Sequence, residues 1–465
     1  MRAMQRNIKS TATLLLAMMV ALLAYFCYAV GVYGNTWFMD DNNLRLKAGR
    51  TSIIMGSITD RNGQVLASSK DFDSPRSYAD DKTLRMAGAH LIGDDLGMTS
   101  GGAQTLFTRY LLGFNSSWVD RLIETFTGNV PHGDSVALTV DARLQKTAYE
   151  ALGGRAGAVV VLNYKTGEVL ASVSSPSFDP AALTADWADA APEGTFVNRV
   201  TQGKYPPGSV FKLITASAML KDPDFADAEF DCTGATDVDG HTVKCYNGTA
   251  HGRVDLSKAL SVSCNGAFAR WAYDLGAGAL TREAEAFGFN DEFLFRDCVV
   301  YDSQFVYPED SFELAWSGVG QSKTLMTPMH AAMIAAGIAN DGVIMEPRLM
   351  LRAESFSGRS FDATRSRVYR TVMSAAAADE LAQMMRLGVE SGSATAARIK
   401  GYDVCGKTGT AEVGAGKTPH AWFTGFIDDK EAPYAVAVVV DHGGTGNAAA
   451  APVAQKVLLK CIEIF

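Results

Sequence analysis

The most informative stretch of the sequence is Y-P-P-G-S-V-F-K-L-I-T, residues 205–215. Its two prolines favour an extended backbone, and Gly208 permits a sharp turn. The apolar run that follows predicts a buried helix beginning at Ser209. Ser209 and Lys212 would then share one helical face near the positively polarised N-terminus. A desolvated lysine can take the proton of a serine hydroxyl, so this pair predicts a nucleophile with its base.

Two later elements give this short pattern its meaning. Ser263-Cys264-Asn265 is the only Ser-x-Asn in the chain, and Lys407-Thr408-Gly409-Thr410 follows near the C-terminus. Ser-x-x-Lys, Ser-x-Asn and Lys-Thr-Gly in this order are the motif set of penicillin-recognising serine enzymes. A second Lys-Thr-Gly at 165–167 precedes Ser209 and lies in a predicted hairpin turn, so we assign it no part in the site.

Composition excludes several other classes of protein. The chain has 465 residues, of which 47% are hydrophobic, enough for two or three domains with a large core. Its net charge of -9 gives no basic surface for nucleic acid. The seven histidines are scattered without H-E-x-x-H or Cys-x-x-Cys, so the sequence gives little support to a metal site.

The N-terminus has the pattern of a membrane anchor. Arg2, Arg6 and Lys9 precede an uncharged apolar stretch, residues 11–33. That length of helix crosses a bilayer, and the charge bias predicts a cytoplasmic tail at 1–10 with the remaining chain outside. A cleaved signal peptide is the alternative, but the apolar run is longer than a signal core.

Residues 34–135 are predicted to form a small N-terminal pedestal. Gly56 to Ala67 has the pattern of a hairpin around an Asn-Gly turn, and helices are predicted around 86–93 and 104–112. Nothing in this region has catalytic spacing. We therefore interpret it as a spacer or docking module.

Residues 136–465 are predicted to form a second, α+β domain. Strands open it, helices fill its middle, and three strands with a final helix close it. The predicted elements are strands at 136–140, 158–162, 168–173, 404–412, 421–427 and 434–440, and helices at 142–152, 256–263, 329–340 and 450–462. Cys232 and Cys245 flank one polar loop. The sequence is compatible with a disulfide between them and equally with two free thiols. Cys264 is interpreted as a small filler.

With these residues in view, the chain resembles the class B penicillin-binding proteins, membrane-anchored D,D-transpeptidases that cross-link peptidoglycan. It looks most like the short, A-type members with a compact pedestal. Beyond the three catalytic motifs, the likeness rests on the 56–67 hairpin, Leu138-Thr-Val-Asp141, Asn198-Arg199, Tyr205 to Lys212, Gly318 to Gln321 and Thr327-Pro328. One departure is Met55, where the family usually has arginine.

The resemblance implies a penicillin-binding transpeptidase fold and a covalent mechanism. Ser209 attacks the carbonyl between two D-alanines of a stem peptide and releases the terminal one. Lys212 accepts the proton, Ser263 relays it toward the leaving amine, and Asn265 holds the substrate amide.

The Lys-Thr-Gly strand receives the other roles. Lys407 supplies positive potential, while Thr408, Gly409 and Thr410 bind the substrate around its terminal carboxylate. The backbone N–H groups of Ser209 and Thr410 form the oxyanion hole. The resemblance implies no soluble cofactor.

The implied partners are peptidoglycan stem peptides, β-lactam antibiotics, the membrane and a membrane-embedded glycan polymerase. The region between anchor and catalytic domain has no acidic glycosyltransferase motif, so we expect no glycan polymerisation by this chain alone. The alternatives are a β-lactamase or β-lactam sensor, a D,D-carboxypeptidase, and a scaffold that activates the polymerase. The anchor and the Ser-Cys-Asn element argue against a β-lactamase, and the intact catalytic motifs argue against a mere scaffold.

Overall fold

The computed structural model describes residues 2–38, 53–114, 126, 130–356, 358–361, 363–414 and 416–465. The helices are α1 (Arg2–Phe38), α2 (Lys82–Ile92), α3 (Ala103–Leu106), α4 (Thr108–Leu111), α5 (Ala142–Leu152), α6 (Ala185–Ala190), α7 (Lys212–Leu220), α8 (Leu256–Ser261), α9 (Asn265–Leu275), α10 (Ala277–Ala286), α11 (Ser311–Gly318), α12 (Pro328–Ala339), α13 (Ala375–Glu390), α14 (Gly446–Ala449) and α15 (Ala451–Ile464).

The strands are β1 (Ile58–Thr59), β2 (Val65–Ser68), β3 (Ser77–Tyr78), β4 (Ser135–Leu138), β5 (Gly157–Asn163), β6 (Val169–Ser175), β7 (Glu229–Cys232), β8 (Ala235–Val238), β9 (His241–Lys244), β10 (Gly252–Asp255), β11 (Val343–Met345), β12 (Met350–Glu354), β13 (Ser360–Phe361), β14 (Val368–Thr371), β15 (Val404–Ala411), β16 (His420–Ile427) and β17 (Tyr434–Val440). Together with the helices they confirm the predicted α+β class.

A five-stranded antiparallel sheet forms the centre of the catalytic part, in the order β15-β16-β17-β5-β6. The predicted closing meander is confirmed, since β15 pairs with β16 and β16 with β17. Its strands are buried on both faces: along β17, Ala435, Ala437 and Val439 enter one hydrophobic core, and the alternate valines enter another. Helix α12 contacts one side, and α15 lies against α5 on the other.

A second sheet joins the N-terminal segment to the rest of the chain. Its order is β13-β12-β4-β1-β2-β3, and β4 lies between β1 and β12. The hairpin prediction is confirmed, because β1 pairs antiparallel with β2. The predicted domain boundary at 135/136 thus falls within a strand whose two neighbours come from opposite sides of it. Residues 39–52, 115–125 and 127–129 of the predicted pedestal lie outside the described residues.

Helix ends follow the local sequence. The Asp141 carboxylate accepts hydrogen bonds from the Arg143 and Leu144 amides at 2.9 and 3.4 Å, which confirms the predicted cap of α5. Thr327 caps α12 in the same way, at 3.2 Å from the His330 amide. The N-terminal α1 contains the apolar span Lys9–Ala29, which is long enough to cross a membrane.

Candidate active site

A hydrogen bond between two glycines holds the backbone next to the predicted nucleophile. Gly208 has a φ of +52°, and its amide donates to the Gly320 carbonyl at 2.9 Å. Residues Gly208–Phe211 form a 3₁₀ turn, and the α-helix begins only at Lys212. The predicted helix start at Ser209 was therefore three residues early. Side chains three apart are eclipsed in a 3₁₀ turn, so Ser209 and Lys212 still share a face.

Lys212 is completely buried, and its ammonium group faces the Ser-Cys-Asn element. Its Nζ lies 2.7 Å from Asn265 Oδ1, 2.8 Å from the Ser263 carbonyl oxygen and 3.3 Å from Ser263 Oγ. The first two motifs are therefore joined by direct hydrogen bonds.

Ser263 holds its hydroxyl between two lysines. It lies in the connection between α8 and α9 with a φ of +60°, a conformation that is costly for a residue other than glycine. Its Oγ accepts a 2.8 Å hydrogen bond from Lys407 Nζ, besides its contact with Lys212. All three motifs consequently meet at this one oxygen.

Strand β15 brings Lys407 against the nucleophile turn. Lys407 Nζ also donates to the Thr408 carbonyl at 2.9 Å, and the side chain is buried. A Cβ on Gly409 would lie 2.8 Å from the Pro207 carbonyl oxygen, so only glycine allows this approach. Trp422, on the neighbouring strand, fixes the other side of the turn, because its Nε1 donates to the Pro206 carbonyl at 3.0 Å.

Burial changes the acidity of both lysines. Desolvation lowers the pKa of Lys212 to about 8. Desolvation, and then the positive charge of Lys212, lowers the pKa of Lys407 well below its usual value. The two ammonium groups share one hydroxyl in a buried site, so the protonation of one opposes that of the other.

These residues open into a cleft of about 720 Å³. Among the predicted site residues, those that line it are Ser209, Ser263, Asn265, Thr408 and Thr410. Lys212 and Lys407 are buried behind these residues, and both are within hydrogen-bonding distance of Ser263, which lines the cleft. The fold thus brings the predicted residues together at one place.

Sequence reasoning missed Ser393, which also lines the cleft. The Thr408 hydroxyl donates to the Ser393 carbonyl at 3.1 Å and lies 3.2 Å from its Oγ. Ser393 follows α13 and belongs to no motif, so no local signal could have identified it. The Lys165-Thr166-Gly167 copy occupies the β5–β6 turn, where Lys165 Nζ lies 5.3 Å from the Tyr164 ring centre.

Of the two possibilities left open for Cys232 and Cys245, the structure has the free thiols. The sulfur atoms of Cys232 and Cys245 are 3.6 Å apart, so both are free thiols at a distance well beyond the ~2.05 Å of a disulfide bond. Cys264, which was interpreted as a small filler, lies 3.8 Å from Cys245. With His251 they form a cluster of four potential metal ligands, which no sequence motif reveals because its members come from separate segments.

Comparison with known proteins shows which sequences and folds this chain is similar to. A family model described as the penicillin binding protein transpeptidase domain matches residues 157–459. The sequence is 30% identical to the peptidoglycan D,D-transpeptidase PbpA of Mycolicibacterium smegmatis, over 99% of both chains.

Solved structures of penicillin-binding proteins have a similar fold. The ceftriaxone acyl-enzyme of penicillin-binding protein A from M. tuberculosis is similar with a TM-score of 0.81 and 30% identity, over 90% of this chain and 99% of that one. A D,D-transpeptidase domain from Eggerthella lenta is similar with a TM-score of 0.78 and 29% identity, over 89% and 99%.

Proposed function

The chain belongs to the penicillin-binding protein transpeptidase family, and from this premise we propose how its residues carry out acyl transfer. It is a peptidoglycan D,D-transpeptidase with the penicillin-binding transpeptidase fold, and it forms a serine acyl-enzyme. The observation that carries the residue assignment is the convergence of Lys212 and Lys407 on Ser263 Oγ beside the cleft that Ser209 lines.

Ser209 Oγ attacks the carbonyl carbon between the two D-alanines, and Lys212 takes its proton. A neutral amine has two N–H groups and one lone pair. The Ser263 carbonyl and Asn265 Oδ1 accept the two N–H groups, which leaves the lone pair for a hydroxyl proton. The lowered pKa of Lys212 favours this neutral form.

Collapse of the tetrahedral intermediate breaks the peptide bond, and the leaving D-alanine amine needs a proton. Ser263 relays it, because its hydroxyl is within hydrogen-bonding distance of both lysines. The Asn265 amide holds the backbone of the stem peptide. Its Nδ2 already donates to the Lys244 carbonyl at 2.9 Å, which fixes the orientation of the side chain.

The β15 strand receives the negatively charged parts of the substrate. Lys407 supplies positive potential, and Thr408, Gly409 and Thr410 bind the stem peptide near its terminal carboxylate. The oxyanion hole consists of the Ser209 and Thr410 amides. The close approach of the two segments supports this, since a Cβ on Gly208 would lie 2.9 Å from the Thr410 carbonyl oxygen.

In the second half-reaction, the amine of a neighbouring stem attacks the ester carbonyl. Lys212 takes a proton from this amine, and Ser209 leaves as its hydroxyl. Hydrolysis by water in place of the amine would make the enzyme a carboxypeptidase or a β-lactamase. A fast hydrolytic enzyme needs a base that directs water at the ester. Among the described residues that line the cleft, Glu412 is the one carboxylate, and it is solvent-exposed.

The test is to incubate the protein with a fluorescent penicillin. We expect one label per chain, attached at Ser209, that persists for many minutes. Ser209→Ala should take up no label, and Glu412→Gln should hold its label as long as the wild type does. Rapid, sustained consumption of the drug would replace the transpeptidase assignment with a β-lactamase one, and loss of that turnover in Glu412→Gln would identify the base.

The domain arrangement and location complete the proposal. Residues 11–33 anchor the protein, 34–135 form the pedestal and 136–465 form the transpeptidase domain outside the membrane. The apolar Lys9–Ala29 span of α1 supports the anchor. A membrane-embedded glycan polymerase supplies the nascent strands and contacts the anchor and pedestal. Polymer formed from lipid II by the purified chain alone would contradict this division of labour.

A further inference from the structure

Four metal-binding side chains meet behind the Ser-Cys-Asn element: Cys232, Cys245, His251 and Cys264. They come from the end of β7, the residue after β9, the residue before β10 and the residue before α9. The three cysteines are at most 3% exposed, whereas His251 is partly exposed. Cys245 and His251 both line the catalytic cleft.

The spacing of the donor atoms fits a tetrahedral ion. All four lie within 4.8 Å of one another. The S–S distances are 3.6 Å for Cys232 to Cys245 and 3.8 Å for Cys245 to Cys264, and Cys232 Sγ lies 3.4 Å from His251 Nδ1. A tetrahedral zinc with bonds of ~2.3 Å to sulfur and ~2.05 Å to nitrogen places sulfur atoms about 3.8 Å apart and sulfur about 3.6 Å from nitrogen.

We propose that these four side chains bind one zinc ion, which holds the Ser-Cys-Asn element in its catalytic position. Thiolate and imidazole ligands select zinc over magnesium or calcium, which prefer oxygen. The proposal does not depend on the assigned reaction, because it concerns a site that no catalytic step uses.

Two of the ligands have sequence neighbours that belong to the catalytic site or contact it. Cys264 lies between Ser263, whose hydroxyl joins the lysines, and Asn265, which contacts Lys212. Cys245 follows Lys244, whose carbonyl accepts from the Asn265 amide. Ser263 has a costly left-handed conformation, so an outside constraint is needed to keep it there. An ion bound to Cys245 and Cys264 would provide that constraint and act as a positioning group.

The competing state is a disulfide. The part of the chain outside the membrane meets oxidising conditions, where free thiols at this distance can pair. A Cys232–Cys245 bond would remove two of the four donors and abolish the site. A bound zinc ion would instead protect all three thiols.

Metal content distinguishes these states. The full-length protein is purified in detergent with a reductant and dialysed against a zinc salt. Unbound zinc is then removed, and the zinc bound to the protein is measured by mass spectrometry. We expect about one ion per chain. Cys232→Ser and His251→Ala should lose it, whereas Cys461→Ser, which changes a buried cysteine outside the cluster, should keep it. A wild type without stoichiometric zinc, or with a Cys232–Cys245 disulfide, would refute the site.

Cobalt tests the ligands in the folded protein. Co²⁺ in place of zinc should give the intense visible absorption of a tetrahedral thiolate site. His251→Cys should retain the ion and strengthen the sulfur-to-metal charge-transfer band, which a merely unfolded variant could not do. A spectrum typical of six oxygen ligands would overturn the assignment.

The positioning role is tested by acylation. Removal of zinc with a chelator should slow acylation by a β-lactam at least tenfold, and added zinc should restore it. Unchanged acylation in the metal-free protein would refute the positioning role. A protein that binds zinc but never acylates would contradict the proposed catalytic function and leave the metal site intact.

Discussion

At the level of single residues, the catalytic residues could be predicted from short motifs. The residues within each motif are close in sequence, so the local backbone alone sets their relative positions. Ser209 and Lys212 are separated by one turn, so no tertiary information was needed to pair them. Ser393 and the cysteine–histidine cluster were missed for the opposite reason. Their members come together only through the packing of distant segments, which leaves no spacing to recognise in the sequence.

The two Lys-Thr-Gly copies permit a matched comparison. Lys407→Ala should slow acylation by about ten- to a thousandfold, because it removes a buried positive group beside Ser263. Lys165→Ala, in the β5–β6 turn, should leave the rate nearly unchanged. Stopped-flow measurement of penicillin acylation gives both rates. The reverse order would show that the wrong copy was chosen.

The pH dependence of acylation reports on the proposed base. Lys212 acts when it is neutral, and burial lowers its pKa to about 8. The rate should therefore rise about tenfold per pH unit below 8 and level off above it. Asn265→Asp would place a carboxylate where Oδ1 now lies 2.7 Å from Lys212 Nζ. This charge stabilises the ammonium form, so the midpoint should move to higher pH. A midpoint that stays in place would exclude Lys212 as the base.

At the level of elements, the sequence predicted all five strands of the central sheet and helices α5, α12 and α15, which pack on it, because their periodicity and caps are local. The start of helix α7 was predicted wrongly, because it depends on a contact with a residue that is distant in sequence. The Gly320 carbonyl accepts a hydrogen bond from the Gly208 amide and favours the 3₁₀ turn before Lys212. The position of that turn therefore depends on the packing of two segments about a hundred residues apart.

Gly320 provides a test of this contact. A Cβ at Gly320 would lie 1.9 Å from the Gly208 carbonyl oxygen, whereas one at Gly401 would meet nothing within 4 Å. Both glycines have positive φ, so alanine should cost each of them about 1–2 kcal/mol of backbone strain. Only Gly320→Ala should displace the nucleophile turn and lower acylation, by about a hundredfold or more. Equal acylation rates in the two folded variants would contradict this account.

At the level of the whole molecule, the N-terminal segment and the catalytic part are more closely joined than sequence suggested. Strand β4 pairs with β1 on one side and β12 on the other. The Arg85 guanidinium binds both oxygens of Asp179 at 2.8 and 2.9 Å, and both side chains are largely buried. Sheet pairing between distant segments carries no local signal, so the sequence could only place a boundary where a new strand begins.

This shared sheet predicts cooperative unfolding. Circular dichroism and loss of penicillin labelling should report one thermal midpoint for the extramembrane part. Arg85→Ala should lower that midpoint, since the charged hydrogen bonds contribute about 1–3 kcal/mol. Arg270→Ala, which breaks the more exposed Arg270–Asp274 pair, should change it less. Two separate midpoints would instead show that the pedestal is an independent domain.

The orientation in the membrane gives the last prediction. Arg2, Arg6 and Lys9 lie before the apolar span, and no lysine or arginine follows Tyr33 until Arg45. Positive charge is retained on the cytoplasmic side, so the catalytic part should lie outside. A protease added to intact spheroplasts should digest the protein from the outside and leave only the anchor and tail. Replacement of all three charged residues by alanine should protect part of the population. Complete protection of the wild type would reverse the orientation, and the cleft would then face a compartment that contains no cross-linkable glycan strands.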